Sequence, residues 1–128
     1  MLDTSVVIEL GIFDLGRIPL GIALSSLTLA ELAGGPVAVS DPVVRIRREE
    51  RLRKAESCCE ALAFDQDCAR AFSQGYGAVL TAGRKPRGPR VLDLLIAATA
   101  LAHGLPLYTL NADDLRGLEG LIEIVDLG

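Results

Sequence analysis

The chain reads as a single α/β domain spanning residues 1–128, built on a parallel sheet with helices on both faces. Three observations predict this. The length suits one domain with its own core and is too short for two. Very short apolar runs alternate with helical patterns, and strands joined through helices pair in parallel and are covered on both sides. Acidic residues also arrive at the ends of those runs or early in the helices behind them, which is where an open parallel sheet places its ligand crevice.

Met1-Leu2 forms a minimal first strand, with Asp3 at its end and Thr4-Ser5 turning into the first helix. Ser5 caps that helix, which carries Val6, Val7, Ile8 and Leu10 and stops near Gly11. A second strand covers Ile22 to Ser26. Leu27 to Ala33 is helical, and Gly34-Gly35-Pro36 is expected to end it. Asp41-Pro42 starts the next helix, with the carboxylate as cap and the proline in the first turn. Its apolar stripe is Ile46, Leu52, Ala55, Cys59 and Leu62, opposite a face of arginines and glutamates with i, i+4 pairs from Glu49 to Arg53 and from Glu50 to Lys54. Asp65 caps a helix with a stripe of Cys68/Ala69, Phe72, Tyr76 and Val79/Leu80, ending at Gly83. A basic loop, Arg84 to Arg90, leads to a helix from Val91 to His103 that is apolar on all sides and therefore buried. Leu107 to Leu110 is a strand, Asn111 to Leu115 a short helical piece, and Leu121 to Val125 the last strand.

Composition narrows the chemistry. Aromatics make up only 4% of the chain, so the core must be aliphatic. No apolar run approaches the roughly 18 residues of a membrane span, and Asp3 interrupts any leader-like start, so a cytoplasmic protein is expected. Cys58, Cys59 and Cys68 have no metal-binding spacing and suit small buried hydrophobes. His103 is the only histidine. A multi-histidine zinc site is excluded, and the residue fits the end of a helix. The formal charge is −4, yet six of the 13 basic residues fall within Arg45 to Lys54 and four within Arg84 to Arg90. The first run is explained by its own acid pairs along the helix. Arg84, Lys85, Arg87 and Arg90 have no acids among them and form a candidate RNA-facing patch.

Each acid has a local explanation. Asp3 suits a turn, Glu31 stands three residues after Thr28 as in a capping box, Asp93 suits a helix cap, and Asp113 or Asp114 suits a cap after Asn111. Together these explanations strain. Asp93 is bracketed by Val91, Leu92, Leu94, Leu95 and Ile96, surroundings in which an ionised carboxylate is costly without a partner or a metal. A shared divalent cation is the economical answer. Oxygen donors without a cysteine or histidine set select a hard ion, Mg²⁺ or Mn²⁺, which suits phosphate chemistry.

Four stretches in order, Leu2 to Ile8, Ser25 to Leu32, Leu92 to Ala100 and Leu107 to Leu115, resemble the PIN-domain ribonucleases, and within them the VapC toxins of toxin-antitoxin pairs. The resemblance covers nearly the whole chain. It implies a PIN-like domain with a parallel sheet of four or five strands, and a Mg²⁺- or Mn²⁺-dependent endoribonuclease that acts on tRNA or rRNA and leaves 5′-phosphate and 3′-hydroxyl ends. By motif position Asp3, Glu31, Asp93 and Asp114 are the metal-site acids, with Asp113 a competitor for the fourth place. Thr4, Ser5, Thr109 and Asn111 support them. Leu115 stands where the family usually has an aromatic. The resemblance also implies a homodimer and a cognate VapB-like antitoxin, whose peptide is expected along the groove beside residues 42–62.

Two other readings compete. A non-catalytic PIN-like module that binds RNA or protein is the alternative, although no site acid is missing. A phosphoacceptor domain fails on spacing, because position 5 is Ser where a haloacid-dehalogenase-like phosphatase needs a second aspartate, and no lysine follows Lys85 where a receiver needs one.

Overall fold

The computed structural model describes residues 1–9 and 21–128. Its strands are β1 (Ala23–Ser25), β2 (Glu60–Leu62), β3 (Leu107–Thr109) and β4 (Ile124–Asp126). Its helices are α1 (Thr4–Glu9), α2 (Ser26–Val37), α3 (Pro42–Cys58), α4 (Gln66–Thr81) and α5 (Pro89–Ala102), with a 3₁₀ turn at Ala112–Leu115. The expected end of the first helix, at Leu10 and Gly11, lies outside the described residues.

β1 pairs with β2 and β3 with β4, both in parallel. Leu2 joins the two pairs through parallel bridges to Leu24 and Tyr108. The resulting order is β2, β1, the Met1-Leu2 segment, β3, β4. Leu2 N–H donates to the Ala23 carbonyl at 3.0 Å, while Asp3 N–H donates to Tyr108 at 2.8 Å and Tyr108 N–H donates to Met1 at 2.9 Å. Two residues therefore suffice for a central strand, because both of its edges are paired.

Side chains alternate across the sheet with the period of two that a strand imposes. Met1, Ala23, Leu62, Leu107 and Ile124 enter one apolar cluster, with Leu94, Ile96, Ala97 and Ala100 of α5. Leu2, Leu24 and Tyr108 enter the other, with Val6 and Val7 of α1, Leu32 of α2 and Ala55 of α3. Both faces are covered, as the alternation of strands and helices predicts.

Several boundaries differ from the sequence reading. α2 runs through Gly34-Gly35-Pro36 because α3 supports its last turn. Arg48 Nη1 donates to the Gly35 carbonyl at 2.9 Å, Ala38 N–H closes on Gly34 at 3.1 Å, and Pro36 is buried. A side chain at position 35 would meet the Arg48 stem at 3.4 Å. α3 stops at Cys58, and the expected tail of its stripe becomes β2, where Leu62 faces the core through strand rather than helix geometry. Ile46 is 53% exposed, so only the C-terminal half of α3 buries its stripe. In α4 the buried line is Cys68, Ala71 and Gly75, which leaves Tyr76 and Leu80 outside. α5 begins two residues early at Pro89, with Gly88 at φ +55° as its cap. Cys68 is buried as expected, whereas Cys58 is exposed.

Candidate active site

The parallel register brings the C-terminal ends of β1, the Met1-Leu2 segment and β3 to one edge of the sheet, and the acids lie around that edge within electrostatic reach of Asp93. Asp3 is buried, 7% exposed, and its Oδ2 accepts from the Thr109 hydroxyl at 2.7 Å and from the Ser5 hydroxyl at 3.1 Å. Asp3 and Thr109 end neighbouring strands, which is why they touch across 106 positions of sequence. Ser5 Oγ also accepts from Leu110 N–H at 3.2 Å, and Thr109 Oγ1 from Asn111 N–H at 3.0 Å. The hydroxyls thus bind the carboxylate and the β3 exit together.

A second hydroxyl pair holds Glu31. Thr4 Oγ1 donates to Glu31 Oε1 at 2.6 Å and lies 3.0 Å from Thr28 Oγ1, which is fully buried. The capping-box explanation of Glu31 does not hold. Ser25 caps α2 by accepting from Leu27 N–H, so Thr28 lies inside the helix and turns its hydroxyl to Thr4. Thr28 was missed by sequence reasoning, and its position one turn before Glu31 on the same helix face was the available signal.

Asp93 is not a helix cap either, since Gly88 takes that position. It lies on the second turn of α5, half-buried, and its carboxyl is pushed up to about 6. Burial is the largest cause, followed by the negative charges of Asp3, Asp114 and Glu31, with Arg90 opposing. The four acids therefore share one electrostatic field. Asp113 turns away, its carboxylate paired with the exposed Arg116 guanidinium. Asp114 is the member of that pair whose charge reaches Asp93.

The basic loop splits. Arg84, Lys85 and Arg90 line a cleft with Asp114 and Arg116, while Arg87 is not part of its lining. Arg116, outside the basic run, was also missed. It stands two residues beyond Asp114.

Carboxylates and hydroxyls without imidazole or thiolate are the donor set of a hard cation. The crowded charge around Asp93 is what such a cation relieves. The fit is one of donor type and charge: among the described residues no three acids close on a single point as a ready-made metal cluster.

Comparison with known proteins decides the family. The chain is 35% identical over 127 residues to Ribonuclease VapC5 of Mycobacterium tuberculosis, covering 97% of this chain and 90% of that protein. The chain belongs to the VapC ribonuclease family. No family model matches it. The crystal structure of the VapBC family member VapBC-5 from the same organism superposes with a TM-score of 0.84 at 34% identity, covering 98% of this chain and 96% of the other. DNA-bound VapBC from Salmonella typhimurium superposes with a TM-score of 0.74 at 28% identity, again over 98% of this chain and 96% of the other. FitAcB from Neisseria gonorrhoeae, 23% identical with a TM-score of 0.76 over 98% of this chain and 95% of the other, shares the fold. The VapC fold thus accounts for the parallel sheet, the covering helices and the edge on which the acids gather.

Proposed function

We propose that this VapC-family chain is the endoribonuclease toxin of a VapBC-type pair, cutting a phosphodiester in a structured RNA of the tRNA or rRNA class. Membership of the ribonuclease family over nearly the full chain carries this reading. The gathering of Asp3, Glu31, Asp93 and Asp114 at one sheet edge supports the place of the chemistry. These four would hold Mg²⁺ or Mn²⁺. A bound cation of this kind stabilises charge on phosphoryl oxygens and acidifies a water. Thr109 and Ser5 fix the orientation of Asp3, and Thr4, steadied by Thr28, fixes Glu31. Asn111 contributes through its backbone N–H, which orients Thr109. Asp113 acts outside the acid cluster, through Arg116.

The proposed partners are RNA, a VapB-like antitoxin and a second copy of the chain, in the cytoplasm. No described helix is long and apolar enough to cross a membrane. The antitoxin peptide is proposed to lie beside α3, where Val43 and Ile46 are more than half exposed. Failure of the neighbouring gene product to co-purify would count against it. The open arrangement of the acids favours a second reading, a PIN-like module that binds without cutting. Sequencing of new 5′ ends after incubation of cellular RNA with the protein in Mg²⁺ or Mn²⁺, beside an Asp93→Asn variant, separates the two. Discrete 5′-phosphate ends from the unmodified protein alone support the ribonuclease. Identical ends from both proteins support the module.

A further inference from the structure

Beside the acid cluster lies a shallow open cleft, with an enclosed volume of about 20 Å³, between the basic loop and the 3₁₀ turn. Arg84, Lys85, Arg90 and Arg116 line it together with Asp114, so it continues directly from the site, and Leu118 contributes to its apolar floor. We propose that this cleft is a phosphate subsite for the RNA strand, with Arg84, Lys85 and Arg116 holding the backbone next to the bond that is cut, and with Asp113 as the residue that positions the two guanidinium groups. The proposal rests on the ribonuclease reading.

The argument begins with charge. Four acids repel a polyanion, so a strand that enters their field needs cations on its flank. The cations that share a wall with Asp114 are those of this cleft. Apolar walls of low dielectric strengthen their field.

Asp113 arranges two of them in different ways. Its carbonyl accepts from Arg84 Nη1 at 2.7 Å, which places that guanidinium without neutralising it. Its carboxylate pairs with Arg116 through a single nitrogen, and both side chains remain mostly exposed. An exposed pair of this kind is weak and gives way to a phosphate, which accepts from guanidinium at two oxygens. This assigns Asp113 a task other than metal binding and explains why two adjacent aspartates point apart.

The test is the salt dependence of binding. A short fluorescently labelled single-stranded RNA of mixed sequence is titrated by anisotropy, in an Asp93→Asn background that prevents turnover. Arg84→Ala/Arg116→Ala should lower the slope of log K against log salt by about 0.7 per lost phosphate contact, which is roughly fivefold in affinity per contact at 0.1 M salt relative to 1 M. Arg116→Lys should restore part of the slope and Asp113→Asn should lose less than the double variant. Arg70→Ala, on the exposed face of α4, should change nothing. An unchanged slope in the double variant overturns the subsite while cleavage by the parent protein keeps the ribonuclease reading. An unchanged slope together with lost retention of a co-expressed antitoxin assigns the cleft to protein instead. Cleavage of RNA by Asp93→Asn at the parent rate removes the ribonuclease reading, and with it the subsite beside a cut bond.

Discussion

The two walls of the acid site are built differently. On the wall formed by Asp3 and Glu31, every acid is tied by hydroxyls: Thr109 and Ser5 on one, Thr4 on the other. On the wall formed by Asp93 and Asp114, no hydrogen bond holds either carboxylate among the described residues, and Asp93 lies half-buried in the field of its neighbours. The first wall is organised by the fold itself. The second is left with the mutual repulsion of its carboxylates. Pairing a rigid wall with a frustrated one leaves unfavourable charge where the proposed cation would relieve it.

The largest expected effect breaks both walls alike. Asp3→Asn and Asp93→Asn should each reduce cleavage by more than the roughly 100-fold that loss of a supporting group costs, read by single-turnover assays on the RNA found by end sequencing. Their stabilities should then diverge. Melting in EDTA at neutral pH should show Asp93→Asn more stable than the parent and Asp3→Asn less. Equal shifts would mean that the walls do not differ.

Thr109→Val tests the rigid wall next. It removes one of the two hydroxyls on Asp3 and the acceptor for Asn111 N–H. A loss of about 10- to 100-fold in activity is expected from disturbing such an outer partner, with about 1–3 kcal/mol of stability lost for the orphaned buried group.

Gly117→Ala probes the backbone behind Asp114. Gly117 has φ +103°, and a Cβ there would lie 3.1 Å from the Cβ of Ala82 and 3.4 Å from the Cα of Val79. A cost of about 1–3 kcal/mol follows from forcing that backbone conformation, measured by denaturant unfolding. Activity should fall through the Asp114 wall while the Asp3 wall stays intact.

The last effect is a pH dependence, reduced by the solvent that reaches the half-buried Asp93. The Asp93 carboxyl rises from an ordinary 3.8 to about 6 in the folded protein. Between these values the folded state binds more protons than the unfolded one, so this group lowers stability as pH rises through the window and exerts its full penalty above it. In EDTA, the melting advantage of Asp93→Asn over the parent should therefore grow from pH 4 to 6 and level off beyond. A constant difference would sink the charge-crowding account of Asp93.

Elements governed by local chemistry were legible from residues alone. Asp41-Pro42 and Asp65 start helices as their side chains dictate, and Asp41 Oδ1 accepts from Val43 N–H at 2.9 Å. The continuous apolar character of α5 predicted its burial. What local pattern concealed was decided by contacts across the chain. The Gly-Gly-Pro end of α2 survives because Arg48 arrives from α3, and β2 hides in what looks like helical spacing because its pairing partner is β1. Arg45 and Arg48 also show that part of the arginine run fastens backbone carbonyls, at Val39 and Gly35, rather than only facing solvent. For the candidate site, the four acids and their hydroxyls were named from motif order, and the structure brings Asp3, Glu31 and Asp114 within the electrostatic reach of Asp93. Thr28, Arg116 and the division of labour between Asp113 and Asp114 required the register of the sheet and the turn after β3.

The two-residue bridge at the centre of the sheet also has a consequence in time. Leu2 and Asp3 are made long before Tyr108, with which one edge of their strand pairs. At about 5–20 residues per second, the wait for that partner is on the order of 5–20 s. Contacts of such long sequence separation also close late in folding. Asp3 cannot receive the Thr109 hydroxyl until the chain has been made through β3, so this contact is absent from every shorter nascent chain.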